Sequence, residues 1–447
     1  MSSELRSILP ITSLYVIRML GLFMVLPVLA TYGQSLSGAN PATLGLALGI
    51  YGLTQAIFQI PLGLLSDFVG RKRVILLGLA AFTLGSLVAA MAHSVIWLII
   101  GRALQGSGAI ASTIMALVAD VTSEENRTKA MAAIGASIGL SFSLALVCGA
   151  PLAAFAGLKG LFLFSAFLGL LGIGVAGYFL PEIILDPIER RQPRKLLGSL
   201  LELMGDAQLM RAFAGVFTLH AVMTALFIVV PGKLTHQLGI AHDGQWKVYL
   251  PVLLGSFVLA VPAILVAERM NQMKPAFVSA VLIVAAALVT FYFSSLNPLV
   301  VPALLLFFLG FNALEAMLPS LVSKICPAGS KGGAMGLYST SQFFGAFVGG
   351  SVGGLLVVRG GESLLFLAAL GLVAIWALLA LTMRRPKNLS RLCFNVSRLN
   401  DLAAVLRLEG VEEASYHPDE GLLYLKVEER VLNRFQLNEL LSPFQRP

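Results

Sequence analysis

Long apolar runs alternate with short polar breaks over the first 383 residues of the chain. A helix needs about 20 consecutive apolar residues to cross the hydrocarbon core of a bilayer. Dividing the chain at its polar and Gly/Pro-marked breaks leaves twelve runs of that kind. The pattern predicts twelve membrane-spanning helices over residues 9–33, 42–65, 73–92, 95–120, 129–154, 158–180, 207–232, 246–268, 273–294, 298–323, 332–357 and 361–383.

The longest internal polar break follows the sixth run and contains six charged residues between Asp186 and Lys195. It predicts an N-terminal six-helix half over 1–190, a cytoplasmic linker over 191–206 and a C-terminal six-helix half over 207–385. The halves also repeat each other weakly at an offset of 204, which aligns the segment from Arg127 with the segment from Lys331. Six-plus-six spans with a parallel repeat are typical of transporters in which two bundles rock around a site at the bilayer midplane.

Composition and charge support a membrane protein and set its orientation. Hydrophobic residues make up 57% and charged residues 12% of the chain, against about 25% charged in an average soluble protein. Fifteen Lys and Arg residues of the body fall on one side of the predicted spans and four on the other. Because cytoplasmic loops carry the excess of Lys and Arg, we expect the N-terminus, the linker and the C-terminus in the cytoplasm.

The sequence excludes several other functions. It has no HExxH or Walker motif, and its GxSxG matches at 135–139 and 349–353 and its GxGxxG match at 172–177 fall inside predicted membrane spans, so it predicts neither an enzyme nor an ATP-driven pump, and no cofactor. Its three cysteines, Cys148, Cys326 and Cys393, are scattered, which predicts no metal site and no disulfide framework. The basic residues are accounted for by membrane topology, so we expect no nucleic-acid partner.

The loop after the second predicted span carries the most specific motif, Gly63-Leu-Leu-Ser-Asp67-Phe-Val-Gly70-Arg71-Lys72-Arg73. It resembles the signature loop GxxxD(R/K)xGR(R/K) of the major facilitator superfamily, except that Phe68 stands where the family prefers a basic residue. The resemblance implies the all-α membrane fold of this family. It also implies a conformational latch that stabilises the outward-open state, formed by Gly63, Asp67, Gly70, Arg71, Lys72 and Asp120.

Further motifs resemble those of drug:proton antiporters within the superfamily. Span four reads Leu98-xxx-Arg102-xx-Gln105-Gly106-x-Gly108-Ala109, similar to the family element lxxxRxxqGxga, and span one carries part of the pattern GxxxxxPvxP from Gly21. Span five lacks the Gly-Pro pair of the antiporter motif. The resemblance implies proton-coupled efflux of amphiphilic drugs or small molecules.

Ionisable residues deep inside the spans are candidates for proton coupling, and they are Glu315, Arg102, Arg18 and His220. Charged residues inside a membrane are costly and usually mark ion or proton pathways. Glu315 is the only carboxylate well inside a span. A structural role remains open for each of them: Glu315 neutralising an arginine, Arg102 bonded to backbone carbonyls, or His220 as a hydrogen-bonded core residue.

Other polar residues within the spans are candidates for a substrate cavity. Gln55 and Gln59 share one helical face because they are four residues apart. The full set consists of Tyr51, Gln55, Gln59, Gln105, Asn312 and Gln342.

The pattern changes after residue 387, where charged residues become frequent. Strands are predicted over 392–396, 411–416 and 421–427, and helices over 398–408 and 431–441. This βαββα order over 388–447 resembles a small α+β ferredoxin-like module, as in heavy-metal-associated domains, but lacks their CxxC metal loop. Regulation, ligand binding, self-association and plain structural capping remain open for this cytoplasmic domain.

The favoured function is therefore a secondary active transporter of the bacterial inner membrane, with protons and a small molecule as its partners and the lipid bilayer as its medium. A nutrient or metabolite importer, or a passive facilitator, fits the same pattern. So does a transceptor whose C-terminal domain senses a ligand.

Overall fold

A computed structural model describes most of the chain. The described residues are 3–122, 124–182, 193–270, 272–294, 299–327, 330–383, 390–396, 402–417, 421–427 and 431–441.

The described body is entirely helical. Apolar residues dominate these helices, and in a bilayer a helix satisfies all of its backbone hydrogen bonds internally. The helices are α1 (Ser3–Phe23), α2 (Leu26–Tyr32), α3 (Pro41–Val69), α4 (Arg71–Ala90), α5 (Val95–Ser107), α6 (Ala111–Val121), α7 (Glu124–Phe179), α8 (Pro193–Gly205), α9 (Ala207–Leu238), α10 (Trp246–Arg269), α11 (Met273–Tyr292), α12 (Val300–Ile325) and α13 (Lys331–Leu381).

Ten stretches of the described residues are long and apolar enough to cross a membrane. Two of them are much longer than a bilayer requires, and both contain non-helical backbone. Gly157 interrupts α7 with φ 67°, and Gly360 and Gly361 interrupt α13, where Gly361 has φ 68°. Glycine adopts these positive φ values without the steric cost of a Cβ atom. Both interruptions lie where the sequence predicts a boundary between two spans, after residue 154 and after residue 357.

A glycine-lined seam brings α3 against α13. Gly45 and Gly49 of α3 lie against Gly350 and Phe347 of α13, so closely that a Cβ atom added at Gly49 would stand 2.6 Å from the Phe347 carbonyl oxygen. Small residues allow such backbone approach between membrane helices. The seam involves the first half of α3, at the opposite end of this helix from the signature loop.

The two halves also share an apolar core next to the seam. Val25 and Leu29, near α2, belong to the same buried cluster as Leu219 and Val222 of α9. Phe142 of α7 stacks on Phe311 of α12 with ring centroids 5.7 Å apart. These contacts join the first six predicted spans to the last six.

The predicted linker is more ordered than its polar composition suggests. Residues 193–205 form α8, in which Leu200 and Leu203 are buried and lie against Gly333 at the start of α13. Leu196, Leu200 and Leu203 recur at helical spacing, so the sequence carried the signal for a helix. The prediction of a cytoplasmic linker over 191–206 did not include this helix and stays a prediction; residues 191 and 192 lie outside the described residues.

The charge-rich tail forms a small sheet with helices. Strands β1 (Ser390–Asn395), β2 (Val411–His417) and β3 (Leu422–Val427) are antiparallel in the order β1-β3-β2. Helices α14 (Leu402–Leu406) and α15 (Arg434–Leu441) complete the βαββα order. Leu423, Leu425 and Val427 alternate along β3 into a buried cluster that also holds residues of both helices. The predicted turn residues 418–420 and the start of the first predicted helix, 398–401, lie outside the described residues.

Candidate functional site

The signature loop forms a tight connection between α3 and α4. Gly70 stands between the two helices with φ 103°, a backbone conformation that favours glycine, and its N–H donates to the Ser66 carbonyl at 3.1 Å. Gly63 lies against the Ser112 side chain of α6, with no room for a Cβ atom. The two glycines therefore allow the close helix packing that positions the charged residues of the loop.

Arg71 is the centre of an ion cluster at this loop. Its guanidinium forms an ion pair with Asp67 one turn earlier, and its Nε donates to Asp120 Oδ2 of α6 at 3.0 Å. It also donates from Nη1 to the Ser66 hydroxyl at 2.6 Å. Arg71 and Asp67 are buried, so the pair is shielded from screening by salt. Of the residues predicted to form a latch, Arg71 contacts both Asp67 and Asp120; Lys72, next in the chain, is half-buried.

Asp67→Asn is expected to lower transport about tenfold, which corresponds to about 1.4 kcal/mol. The amide removes one of the two negative charges facing Arg71 and leaves a buried cation only partly compensated. Initial rates of substrate movement across the membrane of proteoliposomes measure the effect. Glu202→Gln, on the exposed side of α8, is the matched control and should transport as the parent does; an unchanged rate in Asp67→Asn would contradict a role for the ion cluster.

Arg102 lies in a satisfied network inside the N-terminal half. It is 1% exposed, and its Nη1 donates to Gln105 Oε1 at 2.9 Å while its Nε donates to the Ala47 carbonyl at 3.3 Å. Its guanidinium stands 4.8 Å from the centroid of the Tyr51 ring, a cation–π contact. Gln105 Nε2 in turn donates to the Ser86 hydroxyl. Arg102 therefore joins α5 to α3 and α4, and the buried side chains of Tyr51 and Gln105 take part in this network.

Arg18 anchors a second polar row in the same half. Its Nη2 donates to Gln55 Oε1 at 2.5 Å, and Gln55 Nε2 donates to Gln59 Oε1 at 3.2 Å. All three side chains are buried. The Nη1 group of Arg18 has no hydrogen-bond partner, which leaves part of a buried cation available for an incoming acceptor.

Glu315 belongs to a polar cluster of the C-terminal half. Gln342 Nε2 lies 3.3 Å from Glu315 Oε1 and 2.8 Å from His220 Nε2. The other nitrogen of the imidazole, Nδ1, lies 3.2 Å from the Val216 carbonyl oxygen. These contacts fit a neutral ring that carries its proton on Nδ1 and accepts at Nε2. Glu315, Gln342 and His220 therefore come together from α12, α13 and α9.

One oxygen of Glu315 is left over in this arrangement. Glu315 Oε2 has no hydrogen-bond partner and stands 3.8 Å from His220 Nε2, a distance that becomes an ion pair only when the imidazole is protonated. An unpaired buried acceptor is costly. Glu315 Oε2 therefore lacks a hydrogen-bond donor. One additional proton in the cluster would supply it.

The sequence pattern did not point to two tyrosines that lie near these charges. Tyr15 lies within electrostatic range of both Arg18 and Glu315, and Tyr338 lies within range of Glu315. Helical spacing could have pointed to them, because Tyr15 precedes Arg18 by three residues and Tyr338 precedes Gln342 by four. Asn312, predicted to line a substrate cavity, is buried and donates to the Ser256 hydroxyl of α10 at 2.8 Å.

No group of three or more His, Cys, Asp or Glu side chains that could hold a metal ion occurs in the part of the chain that the structure describes. The polar clusters around Arg102, Arg18 and Glu315 combine amides, hydroxyls, arginines, one histidine and one carboxylate. This donor set suits hydrogen bonding and proton binding rather than metal coordination.

Comparison with known proteins gives consistent matches. The inner membrane transport protein YajR of Escherichia coli K12 is 42% identical over 444 residues, which cover 98% of this chain and 97% of YajR. The class B tetracycline resistance protein of Escherichia coli is 34% identical over 141 residues, 31% of this chain and 34% of that protein. A bacterial homologue of the human lysosomal transporter Spinster, solved in an inward-facing and unoccupied conformation, has a TM-score of 0.66 at 16% identity and covers 86% of this chain and 98% of its own.

The family model of the Major Facilitator Superfamily matches residues 11–350, which span both halves of the body. That match, the near full-length relative and the shared helical fold agree with the signature loop and its ion cluster. The chain therefore belongs to the major facilitator superfamily and is a membrane-spanning transporter.

Proposed function

We propose that this transporter works by alternating access and exports amphiphilic small molecules in exchange for protons. The observation that carries the proposal is the cluster of Glu315, Gln342 and His220, a titratable acid and a titratable base joined through one amide deep inside the body. Ionisable groups at this depth are costly and usually functional. The local similarity to a tetracycline resistance protein supports an exporter.

The cluster supports two hydrogen-bonding arrangements that differ by one proton. With a neutral imidazole, His220 Nε2 accepts from Gln342 and Glu315 Oε2 has no partner. A proton on Nε2 turns His220 into a donor, which repels the Gln342 amide group and attracts the carboxylate 3.8 Å away. Protonation of Glu315 itself supplies the missing donor by another route. Either step changes contacts among α9, α12 and α13, which is what coupling between protons and conformation requires.

The contacts between the halves fit a transporter that is closed at one end. The seam of α3 and α13 and the shared core near α2 and α9 lie at the end opposite the signature loop. The asymmetry of Lys and Arg residues supports a signature loop on the cytoplasmic side. In this orientation the structure is closed toward the periplasm, and the proposed export cycle takes its substrate from the cytoplasmic side.

The interruptions at Gly157 and at Gly360–Gly361 support twelve spans, since each divides a long helix into two segments that are long enough to cross a bilayer. The proposed units are the halves 1–190 and 207–385, joined by the cytoplasmic segment 191–206 that contains α8. Both termini are then cytoplasmic, and the membrane is the bacterial inner membrane.

The tail, residues 388–447, is proposed as a ferredoxin-like domain that binds a ligand or self-associates. The βαββα order and the antiparallel sheet order β1-β3-β2 support this assignment.

The ion cluster around Arg71 is proposed as a latch. Asp67, Arg71 and Asp120 belong to α3, α4 and α6, all of the same half. These residues position the signature loop so that it can contact the C-terminal half when the cytoplasmic side closes. The latch thereby stabilises the outward-open state. Loss of the Asp67 charge, as in Asp67→Asn, weakens the contact with Arg71 and releases that state.

Transport by reconstituted protein tests the proposed function. Proteoliposomes loaded with a fluorescent amphiphilic dye that carries a permanent quaternary ammonium charge are given either an imposed pH gradient or none, and dye movement is followed in both directions. Movement of dye against its gradient, opposite to the proton flow, is expected. Dye and protons that move in the same direction would indicate an importer, and dye that only equilibrates would indicate a passive facilitator.

A further inference from the structure

A narrow, cleft-like pocket, partly open to the surroundings, lies at one end of the C-terminal half, between α11, α12 and the end of α13. Its walls include Phe277, Met317, Ala380 and Met383, which are buried, and two lysines, Lys274 and Lys324, also line it. None of these residues belongs to the polar clusters of the proposed transport site.

The internal repeat gives this pocket a counterpart in the N-terminal half. The offset of 204 places Lys324 at the position of Asp120, and Lys274 lies in the first turn of α11 as Arg71 lies at the start of α4. In the N-terminal half the corresponding space contains the buried Arg71 between Asp67 and Asp120. In the C-terminal half an acid is replaced by Lys324, and a pocket stands where the other half has an ion cluster.

The charges at the pocket are only partly compensated. Lys324 Nζ lies 3.9 Å from Glu268 Oε1, with both side chains partly exposed, and Lys274 Nζ donates to the Leu381 carbonyl at 2.8 Å. Glu268 thus offsets the charge of Lys324. The Leu381 carbonyl accepts from only one of the three N–H groups of the Lys274 ammonium. A net positive charge remains beside an apolar cavity, which is complementary to an anion with an apolar body.

The charged and apolar parts of the pocket lie at different depths. Met317 is two helical turns from Lys324 along α12, roughly 10 Å further from the end of the helix. Met273, Met317 and Met383 add flexible thioether side chains that adapt to a chain of variable shape. With the orientation given under the proposed function, on which this inference rests, the lysines lie at the cytoplasmic interface and the methionines and Phe277 lie toward the acyl region.

We propose that this pocket binds an anionic phospholipid of the cytoplasmic leaflet. The phosphate lies between Lys274 and Lys324, and one acyl chain runs along the wall formed by Phe277, Met317 and Met383. Basic pockets between membrane helices on the cytoplasmic side favour such headgroups. The phosphate supplies a negative charge beside the two lysines, as Asp120 supplies one beside Arg71 in the other half.

Native mass spectrometry of the full-length protein in detergent tests the proposal, with phosphatidylglycerol and phosphatidylcholine of identical acyl chains. We expect phosphatidylglycerol to be retained about tenfold more tightly, and the double variant Lys274→Gln/Lys324→Gln to lose this preference. The charge-preserving double variant Lys274→Arg/Lys324→Arg should keep it, which separates loss of charge from loss of fold. Arg211→Gln, near the start of α9 and outside the pocket, is the matched control and should behave as the parent.

A substitution that fills the pocket tests binding of the acyl chain separately from binding of the headgroup. Ser320→Leu adds bulk to the pocket wall and leaves both lysines in place, so it should weaken retention of phosphatidylglycerol about as much as the charge variants do. Equal retention of both lipids, or a preference that survives the double glutamine variant, would overturn the proposal. Competition by inorganic phosphate alone would do so too, because it indicates a free-anion site. The assay contains neither transport substrate nor proton gradient, so its outcome is independent of whether the proposed export is correct.

Discussion

Glu315→Gln is expected to abolish transport driven by a pH gradient while exchange of substrate at equal pH continues. Glutamine is close to glutamate in shape, so Gln342 keeps a neighbour of similar size, but an amide cannot take up and release a proton. The expected loss of gradient-driven efflux is at least about tenfold. Paired measurements in proteoliposomes, efflux with an imposed gradient and counterflow without one, separate coupling from binding.

Glu362→Gln is the matched control for this change. Glu362 is also a carboxylate of the C-terminal half, but it pairs with Lys233 at 2.7 Å at the opposite end of the body from the signature loop. The control should retain gradient-driven transport. If Glu315→Gln retains it as well, the proton is carried elsewhere and the cluster with His220 is structural.

Gly350→Val is expected to prevent the seam between α3 and α13 from closing. The backbone of Gly49 lies so close that a Cβ atom at Gly350 would stand 2.8 Å from the Gly49 nitrogen, and backbone atoms cannot move aside as a flexible side chain can. The variant should favour the outward-open state and reduce transport by about two orders of magnitude, since a shift of about 2.7 kcal/mol in the equilibrium between states has that effect. Reactivity of a single cysteine at position 29, which is buried in the core shared by the two halves next to the seam, with a water-soluble thiol reagent reports the opening.

Gly371→Val is the control for the seam. It makes the same change in the same helix, α13, where an added Cβ atom meets nothing within 4 Å. It should leave both transport and cysteine reactivity at the level of the parent. Normal transport by Gly350→Val would show that close contact along the seam is not a required state of the cycle.

Features that depend on neighbouring residues could be predicted from the sequence. Asp67 and Arg71 are four residues apart on the chain, so their ion pair follows from local geometry. The glycine interruptions of α7 and α13 fall where the hydropathy pattern predicted span boundaries. The strands of the tail were placed within a few residues because they alternate or run continuously apolar between turn residues.

Features that depend on packing between distant helices could not be predicted. Gln342 and His220 are 122 positions apart, and no spacing rule joins them. Polarity alone suggested that Tyr51, Gln105 and Asn312 line a cavity, but their side chains are buried in contacts with other helices. A polar side chain inside a membrane span is satisfied either by a cavity or by a neighbouring helix, and the sequence does not distinguish the two. Substrate-cavity roles for these residues stay predictions.

Distances across the two ends of the transporter test proton-coupled alternating access. Spin labels would be placed on a background without native cysteines at positions 35 and 243 near the seam, and at positions 73 and 272 near the signature loop. Double electron–electron resonance at several pH values then needs no known substrate. We predict that one pair lengthens as the other shortens when the pH changes, and that Glu315→Gln removes this pH dependence. Two distances that stay constant, or that change together, would contradict the account.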